Sequence, residues 1–541
     1  MKATAKKRLW SVLAVFAAMA AIGYGSVFAC TSIMVTPGAS VDGSAMTSQT
    51  ADGGPETYHV VLVPAADHAE GEMKDIYYDS SLRAPEDSAR EEPVFKGQIP
   101  QVAHTYSYIC ALYGTQNEHQ LSIGETTIWN GERQELYDPE GWFNIIELSK
   151  LALERCTTAR EAVKLMGDIA TKYGYCDGGE CLTVADPHEV WMFEIYGATP
   201  TSKTAVWAAE RIPDGNVGVS ANCARIDTIN LDDKDNFMAS DNVVSLAQEH
   251  GWYDPASGKP FSFRDSYCPD NGNYYSARRE WRVLSLLAPS LNLDPSLRRF
   301  PFSVKPDKKV SVRDVQAIFR DHYEGTPFDL TKGLAAGPFG SPERFSTKYS
   351  VPGSSWERAI SIYRCDYSYV AQARSWLPDA VGGVVWFGWD VAHSTCYMPL
   401  YGAASQLPDG FDVGWVGEFN RDAAYWAFDF VANWADLRYN AMIKDIQAKY
   451  TGIEDKEFMV TPYIEKAAAA LCENGEEDAA KEVLTQYSVD NGNDVVQTWW
   501  KFGEFLVGKY HDGYNNYPKA AVTIGYPEDW LKAVGYGPIT K

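Results

Sequence analysis

The chain has 541 residues, 45% of them apolar and 13% aromatic, with a formal net charge of −24. That is ample for a large buried core, and the acidic balance argues against nucleic-acid binding. After residue 29 no apolar run approaches the ~20 residues needed to cross a bilayer.

Residues 1–29 have the pattern of an export leader. Lys2, Lys6, Lys7 and Arg8 precede an apolar run from Leu9 to about Ile22, and Val27-x-Ala29 suits a signal peptidase. Cutting after Ala29 removes four basic and no acidic side chains, leaving −28, and makes Cys30 the first residue of an exported chain. Such a cysteine carries a thiol and a free α-amine, which titrate near pH ~8.5 and ~8. The amine can serve the thiol as its base without a separate histidine. Two other readings of the junction remain open. Cys30 can be a structural cysteine that happens to follow a leader, or a lipidated anchor with an acylated amine, although Val27 and Phe28 make a poor lipobox. Acylation would remove the base.

Beyond Cys30, Thr31–Thr36 is expected as a strand ending at Pro37-Gly38, with a second strand over Ser44–Thr50 after a turn at Val41-Asp42-Gly43. Thr57–Pro64 is strongly β in composition, whereas residues 65–100 are polar and charged and are expected to run over the surface. Strands follow at Thr105–Tyr113 and Gln120–Ile128, with Asn117–Gln120 as a hairpin turn. Ile145, Leu148, Leu151 and Ala152 share one helical face; Ala159, Ala162, Val163 and Met166 share another, capped by Thr157 or Thr158. Further strands are expected at Cys181–Ala185, Val190–Ile195, Ala205–Glu210 and Val217–Ala221. From about Met238 the pattern is helical with long loops, interrupted by an apolar strand over Val381–Gly388. Helical spacing returns in Ala424–Tyr450, Tyr463–Tyr487 and Val495–Val507. Strands, two helices and strands again make an α+β layering.

Ten cysteines leave nine besides Cys30, so at least one of the nine lies outside any intramolecular disulfide. Cys176 and Cys181 are the closest pair and could form a local bridge. No His or Cys pair stands at ligand spacing, and His104, His119, His322 and His393 are scattered, so neither a metal site nor a cofactor is expected. Gly503–Tyr510 nearly spells a phosphate loop, but Tyr510 stands where a hydroxyl on magnesium is needed and the stretch is helical.

The segment Cys30-Thr31-Ser32-Ile33-Met34-Val35 with Asp42-Gly43-Ser44 resembles the start of the cysteine dipeptidases, N-terminal nucleophile hydrolases related to secernins and distantly to penicillin V acylase and bile-salt hydrolase. The resemblance continues through Asn117-Glu118-His119, Gly124-Glu125-Thr126-Thr127, Ala185–Trp191, Arg211–Gly215, Ala221–Ile226, Asp321–Thr326, Gly333–Gly340 and Ser375–Asp379. It implies a four-layer αββα sandwich over residues 30–440, with Cys30 at the end of a central strand; residues 441–541 are then a helical extension packed on that body. It also implies small peptide substrates and, by analogy, a homo-oligomer. An N-terminal nucleophile hydrolase of other small amides, such as N-acyl amino acids or bile-acid conjugates, is the alternative enzyme.

The roles expected are as follows. Cys30 is nucleophile, its amine the base. Asp52 matches the family's holder of that amine, though a turn aspartate before Gly53-Gly54 is the plainer reading. Asn222 matches the oxyanion donor, against a strand-end asparagine that caps a turn. Glu125, with Thr127 beside it, could take a substrate ammonium or lie on a solvated strand face. Arg225 and Arg364 could steer a carboxylate or tune Cys30, or be ordinary surface arginines. Where the family often has arginine, this chain has Gln49.

Overall fold

A computed structural model describes residues 30–53, 59–79, 90–128, 133–198, 203–269, 274–345, 356–516, 518 and 521–535; the expected leader lies outside them. The strand that starts after Cys30, Ser32–Val35, is wholly buried. It pairs antiparallel with Val217–Ser220 on one side (Ser32 opposite Ser220) and with Ala45–Ala51 on the other (Val35 opposite Met46). These belong to a seven-stranded sheet ordered 303–304, 217–220, 32–35, 45–51, 367–373, 384–389, 398–401. A second sheet has eight strands, ordered 237–239, 205–211, 190–197, 180–185, 122–127, 114–117, 108–110, 61–63.

The sheets stack face to face, and much of the seam between them is polar. Ser32 Oγ donates to the Glu125 carbonyl, Thr47 Oγ1 bonds Thr183 Oγ1, Thr126 Oγ1 bonds Ser220 Oγ, and Tyr369 OH donates to the Ile123 carbonyl. Gly124 permits this approach: a Cβ there would stand 2.7 Å from the Ser48 carbonyl oxygen. The outer faces are apolar and covered by helices, as burial of a sheet's two faces requires. Ile145–Arg155 and Ala159–Tyr173 bury Leu148, Leu151, Val163 and Met166 against Val184, Phe193 and Trp207. Tyr274–Leu287 and Val312–Phe319 cover Ile33, Val35 and Val219 through Leu284, Val315 and Phe319. Ala424–Asp436 and Glu477–Tyr510 instead fill the far end of the inner face, where Phe428, Val431 and Trp499 pack on Val385, Phe387 and Leu400, the face that also carries Tyr369. The result is a four-layer αββα sandwich of α+β class. No helix among the described residues is long and apolar enough to cross a membrane.

Thr158 caps the second helix by accepting from the Glu161 N–H. The described part of residues 65–100 runs over the surface, with Met73–Tyr78 paired to Val94–Pro100 and most of their side chains exposed or half-buried. Other expectations need correcting. Strand Tyr367–Ala373, absent from the sequence reading, pairs along its length with Ala45–Ala51. Its alternation puts Tyr367 and Tyr369 on one face and Val370 on the other, but Ser368 and Gln372 break the apolar signal. The C-terminal helices divide at 437–438 and 474–476, giving Tyr439–Glu473 and Glu477–Tyr510. Pro462 is accommodated inside the first, whereas Gly475 at φ +80° ends the run. Cys176 and Cys181 are both free thiols. Cys181 points into a core with Met34 and Met192, while Cys176 lies beside Asp177 and Asp138, so the two sulfurs enter different neighbourhoods.

Candidate active site

Cys30 sits at the head of Ser32–Val35, an interior strand next to the central one, and its backbone is tied down on several sides. Thr50 N–H donates to the Thr31 carbonyl at 2.9 Å, and Thr31 N–H donates to Thr50 Oγ1 at 3.0 Å. Arg279 Nη1 donates to the Cys30 carbonyl at 2.7 Å. The thiol donates to Glu125 Oε2 at 3.2 Å, and Gln49 Nε2 lies 3.8 Å from Sγ while donating to the same Glu125 oxygen at 2.9 Å. Tyr369 OH holds Gln49 Oε1 at 3.1 Å.

From Cys30 a circuit of hydrogen bonds leads back to Cys30. Its thiol bonds Glu125, and Thr127 Oγ1 donates to Glu125 Oε1 at 3.1 Å. The Thr127 carbonyl accepts from Asn222 Nδ2 at 2.7 Å, and Asn222 Oδ1 accepts from Arg279 Nη2 at 2.8 Å. Arg279 then returns to the Cys30 carbonyl. Four of the expected residues, Cys30, Glu125, Thr127 and Asn222, are therefore brought together. Asn222 holds φ +61° just past its strand, a conformation asparagine tolerates better than most side chains.

Asp52 is fully buried two residues beyond Thr50. Its Oδ2 accepts from Thr50 Oγ1 at 2.9 Å and pairs with the buried Arg358 guanidinium, whereas Oδ1 has no hydrogen-bond partner. Arg364 Nη1 donates to the Asp52 carbonyl at 2.7 Å and Nη2 to Tyr275 OH at 3.0 Å. A cavity of about 200 Å³ opens here, with Tyr275, Arg344, Arg358 and Arg364 among its walls. Arg225 is placed otherwise. It forms an ion pair with Glu280, both side chains fully buried, and donates to the Pro301 carbonyl at 2.5 Å. It braces the helix Tyr274–Leu287, which carries Arg279.

The electrostatics disfavour a spontaneous thiolate. Burial pushes the Cys30 thiol well above its ordinary value, and the carboxylates of Glu125 and Asp52 push the same way; the Asp52 N–H opposes them. Burial also raises Glu125 and, further, Glu180, which is raised again by the charge of Glu125. Burial would raise Tyr275 too, but the charges of Arg358, Arg279 and Arg364 outweigh it and lower its hydroxyl. Burial and the repulsion of Arg358 bring Arg279 down to about 10.

Sequence reasoning missed Tyr275, Arg279 and Arg358. Arg279 had one signal: it stands one helical turn before Val283, on a side of the helix that is buried. Arg358 had none, because its partner Asp52 is 306 residues away.

Residues 29–451 match the profile of Peptidase family C69. A probable dipeptidase of Salmonella dublin is 30% identical over 413 residues, covering 74% of this chain and 87% of the relative. A probable dipeptidase of Latilactobacillus sakei is 30% identical over 423 residues, covering 76% and 82%. Dipeptidase A of Lactobacillus helveticus is 24% identical over 466 residues, covering 84% and 88%. Among solved structures, penicillin V acylase from Agrobacterium tumefaciens aligns with a TM-score of 0.33 and 12% identity, covering 69% of this chain and 86% of that one. The chain belongs to peptidase family C69.

Proposed function

We propose that this chain is an exported cysteine dipeptidase in which removal of residues 1–29 frees the Cys30 amine to act as base for its own thiol. One observation carries the reading: a buried carboxylate, Asp52, keeps Oδ1 unpartnered while Thr50 binds its other oxygen and the backbone of the residue after Cys30. An α-ammonium is the group that such an oxygen would hold, and holding it favours the protonated form that follows proton transfer from sulfur. The names of the relatives, dipeptidases from several bacteria, support the substrate class.

The thiol, whose surroundings oppose ionisation, gives its proton to the amine as sulfur attacks the peptide carbonyl carbon. The C=O electron pair moves onto oxygen, and the Asn222 amide is the donor nearest in kind to an oxyanion partner. Collapse expels the amine of the second amino acid, which takes the proton from the Cys30 ammonium and leaves a thioester. Water, deprotonated by the same amine, cleaves the thioester and releases the first amino acid. Glu125 and Thr127 would receive the substrate ammonium, and the arginine-lined cavity its carboxylate.

The test is N-terminal sequencing and intact mass of the protein from its native host, followed by a dipeptide hydrolysis assay. A chain that starts at an unmodified Cys30 and cleaves dipeptides supports the proposal. An acylated Cys30, or activity that persists with the leader attached, refutes the role given to the amine.

A further inference from the structure

Three groups far apart in the chain meet behind the same cavity. His322 follows the helix Val312–Phe319, Glu343 sits in the loop after Ser341, and His393 lies in the turn Ala392–Ser394. One nitrogen from each histidine and one carboxylate oxygen of Glu343 all lie within 4.8 Å of one another. The side chains are 1%, 6% and 5% exposed, respectively. His322 Nε2 and Glu343 Oε1 have no hydrogen-bond partner, although burial makes an unsatisfied polar atom costly. The remaining edges are anchored. His322 Nδ1 bonds Glu324 Oε1 at 3.0 Å, which orients the ring with Nε2 inward. His393 Nδ1 lies 3.1 Å from Ser361 Oγ and 3.8 Å from Glu343 Oε1.

We propose that His322, Glu343 and His393 bind a divalent first-row transition cation, with zinc the best match to two imidazoles and one carboxylate. The carboxylate on His322 Nδ1 is the outer support that metal-binding histidines use. Tetrahedral zinc, with bonds near ~2.1 Å, sets its ligands about 3.4 Å apart, so the three groups need draw together by at most roughly 1.4 Å. Glu343 and Ser361 both line the cavity of about 200 Å³, which gives an ion its route and leaves room for water as a fourth ligand. The sequence concealed the site because His322 and His393 stand 71 residues apart.

The ion would act by position. Its ligands join three separate segments, and Ser361, beside His393, lies between Arg358 and Arg364, the arginines that hold Asp52. A cation here fastens the cavity wall that faces the candidate active site and takes no part in the thiol chemistry. This inference is independent of the dipeptidase reading.

To test it, the full chain is stripped with a chelator and titrated with Zn²⁺ alone and with Co²⁺ alone. One equivalent of zinc is expected after removal of excess, together with the visible bands of a four- or five-coordinate cobalt site and no thiolate charge-transfer band. His322→Gln and Glu343→Gln should each weaken zinc binding at least ~100-fold, and Glu324→Gln about 10–100-fold. A wild-type chain that takes up no stoichiometric cation overturns the proposal whatever the variants do. So does a cobalt–thiolate band, which would put the ion on cysteine, or folded variants that bind as tightly as wild type.

Discussion

Gln49 Nε2 lies 3.8 Å from Cys30 Sγ, so the side-chain donor facing this thiol is a neutral amide. The same nitrogen is spent on Glu125 at 2.9 Å. Sulfur therefore faces a carboxylate with no intervening cation. Gln49→Arg puts a guanidinium at that point, where an opposite charge within a few ångströms favours the thiolate by ~1–3 pKa units. The pH dependence of alkylation by a small electrophile should move to lower pH by about one unit or more. An unmoved or upward-shifted limb would show that the thiol's surroundings, and not this position, control it.

Cys30→Ser keeps the size and the hydrogen bond to Glu125 but replaces a weakly acidic thiol by an alcohol. Dipeptide turnover should fall to background while the thermal transition stays within a few degrees of wild type. Measured turnover in a correctly processed variant would remove the thioester route.

Asn222 can be tested without disturbing its backbone. Glycine accepts φ +61° freely, so Asn222→Gly deletes the amide and leaves the turn. If the amide donates to the oxyanion, kcat should drop ~10²–10³-fold with KM little changed. If it only links Thr127 to Arg279, the loss should appear in stability to denaturant and in KM.

Asp52 and Arg358 are a buried pair, 0% and 2% exposed. Asp52→Asn leaves the guanidinium without its counter-charge, and removing one partner of such a pair costs about 3–5 kcal/mol. Urea unfolding should register that loss, and the pH profile of kcat/KM should shift as well. A changed stability with an unchanged profile would make Asp52 a structural anchor alone.

Glu210 gives a pH test remote from the catalytic chemistry. Burial first, then the charges of Glu194 and Asp227, raise its carboxyl to about 8. The folded chain thus keeps a proton that the unfolded chain releases near pH ~4.3. Its contribution to stability is present in full below about pH 4 and is lost as pH rises towards 8. Glu210→Gln should therefore raise the Tm relative to wild type at pH 8.5 and change it little at pH 4. Equal effects at both pH values would contradict the raised pKa.

What the sequence revealed was local. A strand rich in apolar side chains, such as Val190–Gly197, was legible to within two residues, and a helix with a clear stripe, such as Ala159–Tyr173, was legible in its buried face and its cap. Strand Tyr367–Ala373 was not, because a strand inside a polar seam carries serine and glutamine where the pattern asks for apolar side chains. The site divides in the same way. Cys30, Asp52 and Glu125 stood in recognisable motifs, while Arg279 and Arg358 reach the site from segments 249 and 328 positions beyond Cys30, which no local spacing encodes. Arg225 misled for a related reason: from sequence, an arginine in an ion pair and one awaiting substrate look alike.

The polar seam between the sheets has a consequence for how activity is lost. Thr47 to Thr183, Thr126 to Ser220 and Ser32 to Glu125 are bonds with fixed partners, so neither sheet can creep along the other while keeping them. An oily interface would allow intermediate settings; this one permits a single alignment or separation. Heating should therefore leave turnover per folded molecule intact until the whole body melts, so that inactivation and loss of tertiary structure coincide in one transition.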